Sequence, residues 1–153
     1  MSRWLAIDHG TRRIGLAVGN TADGIACPVA VIPAQPAEGV LVRIRQLLDE
    51  YQIVGIVVGW PLNMDDTEGP QGRLARQMAA NLAGATGMDV RLWDERLSSF
   101  AADEALAGTM TSGKKKARQD AVAAAAILRD FLDSGGPACA PRPMDIPPKS
   151  DRP

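Results

Sequence analysis

The segment Ile53-Val54-Gly55-Ile56-Val57-Val58 is nearly continuous, apolar and β-branched. Such a run suits a strand buried on both faces, so helices must cover the sheet on either side of it. Trp60-Pro61 ends the run.

The rest of the chain arranges itself around that strand. Arg3 to Ile7 reads as a strand ending at Asp8, and Thr11 to Arg13 as a turn. Ile14 to Val18 alternates large and small residues and reads as a strand pairing back on the first. A third short strand is expected at Pro28 to Ile32, then a Pro-containing loop from Pro33 to Gly39. Val40 to Tyr51 has helical spacing, with Leu41, Ile44, Leu47 and Leu48 on one face. Gly69 to Gly87 holds a second helix, with Leu74, Met78 and Leu82 on one face. Asp89 to Trp93 is the next strand and runs into Asp94-Glu95-Arg96. Ser98 or Ser99 can cap a helix to about Leu106. Gly108 to Arg118 reads as a flexible basic loop, and Gln119 to Leu132 as an alanine-rich helix. The order β-β-β-α-β-α-β-α-α predicts an α/β fold, a mixed five-stranded sheet with helices on both faces. Residues 1–134 form the expected domain, and the Pro-rich stretch 135–153 reads as a disordered tail.

Size and composition agree with this. A chain of 153 residues that is 46% hydrophobic suits one domain with a packed interior. Cys27 and Cys139 are far apart and belong to no C-x-x-C pair, so neither a disulfide framework nor a structural zinc site is expected. That usage fits a reducing, cytoplasmic setting. The start of the chain lacks a signal-peptide pattern, and no apolar run is long enough for a membrane span. The formal net charge is −1, so any grip on phosphate must be local or assisted by metal ions.

Three acids stand where chemistry could be done. Asp8 closes an apolar strand; Asp-His-Gly is also good turn chemistry. Asp94 and Glu95 close another strand and point to opposite faces, and periodicity leaves open which one turns toward Asp8. Asp120 shares a helical stripe with Ala124, Ile127, Leu128 and Phe131. An acid heading a buried stripe is costly unless it is paired, capped or metal-bound, and an N-cap for a helix starting at Ala121 explains it equally well. Together, the two strand ends and the helix can deliver carboxylates to one end of the sheet. Magnesium prefers such oxygens, and two ions about 4 Å apart suit phosphodiester hydrolysis. Arg12 and Arg13 follow Asp8, Arg96 follows Glu95, and Lys114, Lys115, Lys116 and Arg118 precede Asp120, so these bases are expected to contact phosphate. The loop acids Asp65, Asp66 and Glu68 could offer another metal, although nothing in their spacing demands it.

Two decoys fail. Gly108 to Lys114 matches the start of a P-loop, but Lys115 stands where Ser or Thr should hold magnesium, and a helix precedes it instead of a strand. His9 is the only histidine and has no G-x-S-x-G beside it, which leaves no basis for a Ser-His-Asp triad.

Four motifs then fall in an order that resembles the YqgF-type family. They are Ala6 to Ala17 with Asp8-His9-Gly10-Thr11; Val57 to Asp65 with Thr67-Glu68-Gly69; Asp94 to Ser99; and Lys114-Lys115-Lys116 leading to Asp120 to Ala124. That family comprises bacterial proteins described as pre-16S rRNA nucleases and also as Holliday-junction resolvases. The resemblance spans Arg3 to Leu132 and implies an RNase H-like fold. It further implies a metal-dependent nuclease, with Asp8, Glu95 and Asp120 as catalytic acids and ligands of Mg²⁺ or Mn²⁺. His9 stands where proline is frequent, and Trp60 where a smaller aliphatic is usual.

The expected partner is nucleic acid, either precursor rRNA or branched DNA, with ribosomal particles also in view, no membrane, and a monomer or homodimer. Processing of the 5′ end of precursor 16S rRNA competes with junction resolution, which needs a two-fold dimer. Asp8-x-Gly10-Thr11 also resembles the first phosphate motif of actin-like ATPases and sugar kinases, but those need two lobes and this chain has room for one. A non-catalytic ribosome-assembly module is the remaining alternative, disfavoured by the intact acid trio.

Overall fold

The computed structural model describes residues 2–97 and 113–145, with Leu97 and the stretch 113–119 described by backbone alone. The elements run β1 (Arg3–His9), β2 (Arg13–Asn20), β3 (Ala26–Pro33), α1 (Ala37–Glu50), β4 (Ile53–Trp60), α2 (Pro70–Thr86), β5 (Asp89–Asp94) and α3 (Gly113–Asp133). One five-stranded sheet has the order β3-β2-β1-β4-β5. β1 is antiparallel to β2, and β2 to β3; β4 runs parallel to both β1 and β5. This is the mixed α/β sheet the pattern predicts, with its apolar run next to β1 and buried from Gly55 to Trp60.

Strand alternation sorts the residues into two cores. Leu5, Ile7, Ile14, Leu16, Ile56, Val58 and Leu92 face α1 and α2. Trp4, Ala6, Ala17, Val57 and Trp93 face α3, packing with Ala124, Ile127, Leu128 and Phe131. The large-small alternation along β2 has its reason here. Its large residues fill the α1/α2 layer, whereas Gly15, Ala17 and Gly19 let α3 come close. A side chain at Gly15 would strike the Asp120 carbonyl, and one at Gly19 would lie 3.0 Å from Leu128 Cδ2. The alanines of α3 at 121, 123, 124 and 126 are buried and complete the close fit. Phe131 is fully buried at the far end of the helix, tilted against Trp4 at 5.1 Å and edge-on to Trp93 at 6.1 Å between ring centroids.

Three expectations shift. In α2 the buried face is Gly72, Ala75, Ala79 and Leu82; Leu74 is exposed and Met78 only partly covered. Small residues win because α2 lies so close that a side chain at Gly72 would come within 2.6 Å of the Pro61 carbonyl. The last helix begins at Gly113, so Lys114, Lys115, Lys116 and Arg118 belong to its first turns and not to a loop. The described part of the tail, to Asp145, packs on the domain. It makes two short 3-10 turns, at Gly136–Cys139 and Pro143–Asp145. Arg91 donates to the carbonyls of Pro137 and Ala140, both at 3.0 Å, and the Leu92 N–H bonds the Pro141 carbonyl at 2.8 Å. The segment thus covers the open edge of β5, a partner that its Pro-rich composition hides. The expected helix to Leu106 falls within 98–112, outside the described residues, as does the end of the tail.

Gly55 tests the packing under Trp4. An added Cβ would lie 2.6 Å from Trp4 Cζ2, inside a core with no room to yield. Gly55→Ala is expected to lower stability by about 1–3 kcal/mol, read as a lower urea midpoint with an unchanged m-value.

Candidate active site

The site grows from Asp8 near the end of β1. Asp8 continues the face of Trp4 and Ala6, the α3 face, and pairs with Gly15 on β2. On its other side Gly59 follows Val58 as Asp8 follows Ile7, the partner of Val58, and Gly59 pairs in turn with Trp93. Asp8 therefore has glycine as its neighbour on both sides. Each glycine is occupied from above. The Asp120 backbone lies against Gly15, and the Glu95 carboxylate lies over Gly59 next to Ile127. The gaps at Gly15 and Gly59 admit the Asp120 backbone and the Glu95 carboxylate on the two sides of Asp8.

Glu95 reaches this place by a change of backbone. β5 stops at Asp94, and Glu95–Leu97 is a 3-10 turn that folds the Glu95 side chain over the neighbouring strand. Asp94, on the face of Val90 and Leu92, does something else. It accepts from the Arg96 backbone N–H at 2.9 Å and Nε at 3.0 Å, and pairs with Nη2 at 2.7 Å. Burial works to raise the Asp94 pKa, but the Arg96 hydrogen bonds and charge outweigh it and hold the carboxyl below its usual range. Asp120 sits two turns into α3 and so is not its N-cap. Its Oδ2 accepts from Arg13 Nε at 2.9 Å, both side chains being about one-third exposed (35% and 33%).

The basic residues divide. Arg12 is exposed on the β1–β2 turn that follows the strand carrying Asp8. Arg13 and Arg96, expected as phosphate contacts, are engaged by carboxylates. Arg96 also binds Asp66 at 2.8 Å and the Asn63 carbonyl at 3.0 Å, and its hydrogen bonds to Asp94 and Asp66 raise its pKa. The side chains of Lys114, Lys115, Lys116 and Arg118 lie outside the described residues.

The loop after β4 is a braced structure and not a second metal site. Glu68 is 3% exposed, and its Oε2 accepts from Trp60 Nε1 and from Arg76 Nε, both at 2.8 Å. Burial pushes the Glu68 pKa up, yet the bonds from Arg76 and Trp60, with the charges of Arg76 and Arg73, bring it below its ordinary value. Asp65 binds Thr67 through Oγ1 at 2.6 Å, and Asp66 is taken by Arg96. Trp60 thus anchors Glu68 by its indole N–H. Sequence reasoning missed Gly15, Gly59 and the Trp60–Glu68–Arg76 network. The available signal was two glycines inside otherwise bulky strands and a Trp closing the central one. Among the described residues no three His, Cys, Asp or Glu side chains close into a ready metal cage.

A family model described as "RuvX: Holliday junction resolvase" matches residues 2–134. The chain belongs to the RuvX family. A relative from Anaeromyxobacter sp. (strain Fw109-5), named "Putative pre-16S rRNA nuclease", is 43% identical over 132 residues, 86% of this chain and 96% of that protein. A relative of the same name from Geobacillus kaustophilus is 41% identical, covering 86% of this chain and 98% of that one. The YqgF-type resemblance is therefore borne out. The RuvX-family fold is also that of the T. thermophilus RuvC solved with a Holliday junction substrate, with a TM-score of 0.58 at 16% identity over 88% of this chain and 97% of that one. The fowlpox virus Holliday junction resolvase gives a TM-score of 0.50 at 11% identity over 86% and 98%. Both support the RNase H-like architecture. No helix among the described residues is long and apolar enough to cross a membrane, and both cysteines are free.

Glu68 carries a testable pH signature. A carboxyl depressed by folding stabilises above its unfolded value, near 4.5, and that contribution is lost as pH falls through the folded value. Glu68→Gln should cost about 2 kcal/mol at neutral pH. The gap in melting temperature between the two proteins should then narrow as pH falls below 4.5. A gap constant down to acid pH would remove Glu68's charge from the account.

Proposed function

We propose that this RuvX-family protein is a metal-dependent nuclease that hydrolyses phosphodiester bonds in the 5′ region of precursor 16S rRNA. One observation carries the chemistry: Asp8 lies between two glycines, with Glu95 packed over one and Asp120 over the other. The substrate assignment is supported by the relatives named for pre-16S rRNA that match over nearly their whole length.

The residues fit a divalent ion by their chemistry. Carboxylates supply the hard oxygens such ions prefer, and the glycines at 15 and 59 leave room for the Asp120 backbone and the Glu95 carboxylate on either side of Asp8. Asp8, Glu95 and Asp120 would hold Mg²⁺ or Mn²⁺. When bound, such ions activate water and stabilise the leaving oxygen. The protein's own residues do the positioning. Asp8 is fixed by the pairing of β1 with β2; the 3-10 turn sets Glu95; and Arg13 orients Asp120 by a 2.9 Å bond. Arg12 is exposed on the turn that follows β1, the strand carrying Asp8, and suited to a substrate phosphate. The lysines of α3 supply the local positive charge that a chain of net charge −1 needs to hold a polyanion. A ribosome precursor places the reaction in the cytoplasm.

A second reading is the resolution of four-way DNA junctions, favoured by the family description and by the fold shared with RuvC. The two separate when the pure protein is given precursor rRNA and mobile four-way junctions in Mg²⁺ or Mn²⁺. Selective cleavage of the RNA supports the first; symmetric nicking of junctions by a dimer supports the second.

Two predictions test the site. Asp8→Asn and Glu95→Gln should each lower cleavage by about a thousandfold with little change in melting temperature, because the amides keep shape and lose the ligand charge. Asp94→Asn should keep measurable activity, with any defect following lost stability. A folded, inactive Asp94→Asn beside an active Glu95→Gln would reverse the assignment.

The second concerns Lys115 and Lys116. Replacing both by Ala should weaken RNA binding and flatten the log–log salt dependence by about 0.7–0.9 per lost phosphate contact. An unchanged slope would return the run to solvated surface.

A further inference from the structure

The loop between β4 and α2 presents one apolar side chain to solvent on an otherwise braced frame. Met64 is 91% exposed, the most exposed large hydrophobic among the described residues. A single exposed apolar residue is ordinary, and alone it would mean nothing. Its neighbours distinguish it. Leu62 bridges to Glu68 and packs on the core. Asn63 Nδ2 bonds Thr67 Oγ1 at 2.9 Å, and the Asn63 N–H bonds the Thr67 carbonyl at 2.9 Å. Asp65 accepts from Thr67, Asp66 pairs with Arg96, and Glu68 is buried against Trp60 and Arg76. Each of these side chains is turned inward or tied to a partner, while Met64 stands out at the tip.

The position and charge of the tip narrow what Met64 can meet. Arg96 ties the loop to the turn that carries Glu95, so the tip lies on the rim of the acid site. Asp65 is exposed, and its hydrogen bonds from Thr67 lower its pKa, so a full negative charge sits beside Met64. A phosphate backbone is repelled there. An apolar surface is not, and the apolar surface a nucleic acid offers is the face of an unstacked base. Methionine suits that contact, because its thioether is polarizable and makes favourable sulfur–aromatic contacts. Apolar side chains, methionine among them, are known to wedge between base steps.

We propose that Met64 is a base-contacting wedge, held rigid by the Glu68 anchor and the Arg96 clamp, that packs against an unstacked base of the RNA next to the cut. This rests on the nuclease reading above and makes Met64 a positioning residue for substrate. The braced frame matters because a preorganised loop loses little entropy when its tip binds.

The test uses full-length protein and a synthetic RNA spanning the leader–16S boundary, with 2-aminopurine placed in turn at positions flanking the cut. Binding is followed by 2-aminopurine fluorescence in the Asp8→Asn background, and cleavage in the otherwise wild-type chain. At one position the fluorescence should rise on binding. Met64→Ala should abolish that rise at saturating protein and raise KM about tenfold, with melting temperature unchanged. Met64→Leu should restore both. A protein that binds and cleaves the RNA but gives the same fluorescence and KM with Met64→Ala overturns the wedge alone. A KM loss matched by a fall in melting temperature also overturns it, by assigning Met64 to folding. A wild-type chain that neither binds nor cleaves the RNA overturns the nuclease reading together with the wedge.

Discussion

The close approach of α3 to the sheet governs this structure. A helix packed over a sheet usually stands off by the thickness of its side chains. Here the facing residues are Gly15, Ala17 and Gly19 on β2 and Ala6 on β1, under buried alanines of the helix. Backbone meets backbone at Gly15, and Asp120 is carried down with it. Had either surface been built of Leu or Val, the third acid would stand several ångströms above the first. The opposite layer uses the large residues of the same strands, so the two sides of the sheet have different tasks. One side, with α1 and α2, supplies most of the apolar mass; the other supplies proximity.

The carboxylates of the loop and strand ends are similarly divided. Glu68, Asp66 and Asp94 are committed to Arg76 and Arg96, which shape the loop after β4 and the turn after β5. Such pairs add little stability where they are exposed, and their effect here is geometric. Arg96 joins two elements that are separate in sequence, and the turn that holds Glu95 is set by that joint. Glu68 is different because it is buried. Its charge is supported by one guanidinium and one indole N–H, both on Oε2, while Oε1 is buried without a hydrogen-bond partner among the described residues, so losing either support weakens a charge that water does not reach.

The relation to other proteins follows the same division. Relatives above 40% identity cover nearly the whole chain, whereas the RuvC-like structures share the fold at well under half that identity. An RNase H-like sheet tolerates many sequences, because alternation and burial suffice to specify it. The α3 face demands more: glycine at two points, an alanine-rich helix at one distance, and a turn after β5 that lays Glu95 over the neighbouring strand.

Much of this was written in the chain before it folded. The β-branched run at Ile53, the alternation along β2 and the spacing of the helices specify a mixed sheet with helices on both faces, because side-chain periodicity is a local property. The opposite faces of Asp94 and Glu95 follow from strand geometry, and the separation of their partners agrees with it. Other features were decided only in three dimensions. Which stripe of α2 is buried depended on how near the helix comes to Pro61. The partners of Arg13, Arg96 and Arg91 lie as far as 107 residues away in the chain, and no local pattern encodes a contact across such a separation. The Pro-rich segment to Asp145 packs on an open strand edge, through hydrogen bonds that composition does not reveal. Local chemistry chose the elements and the candidate acids; the distances between the elements decided that Glu95 lies over Gly59 and the Asp120 backbone over Gly15, and that Glu68, Asp66 and Asp94 hold the frame.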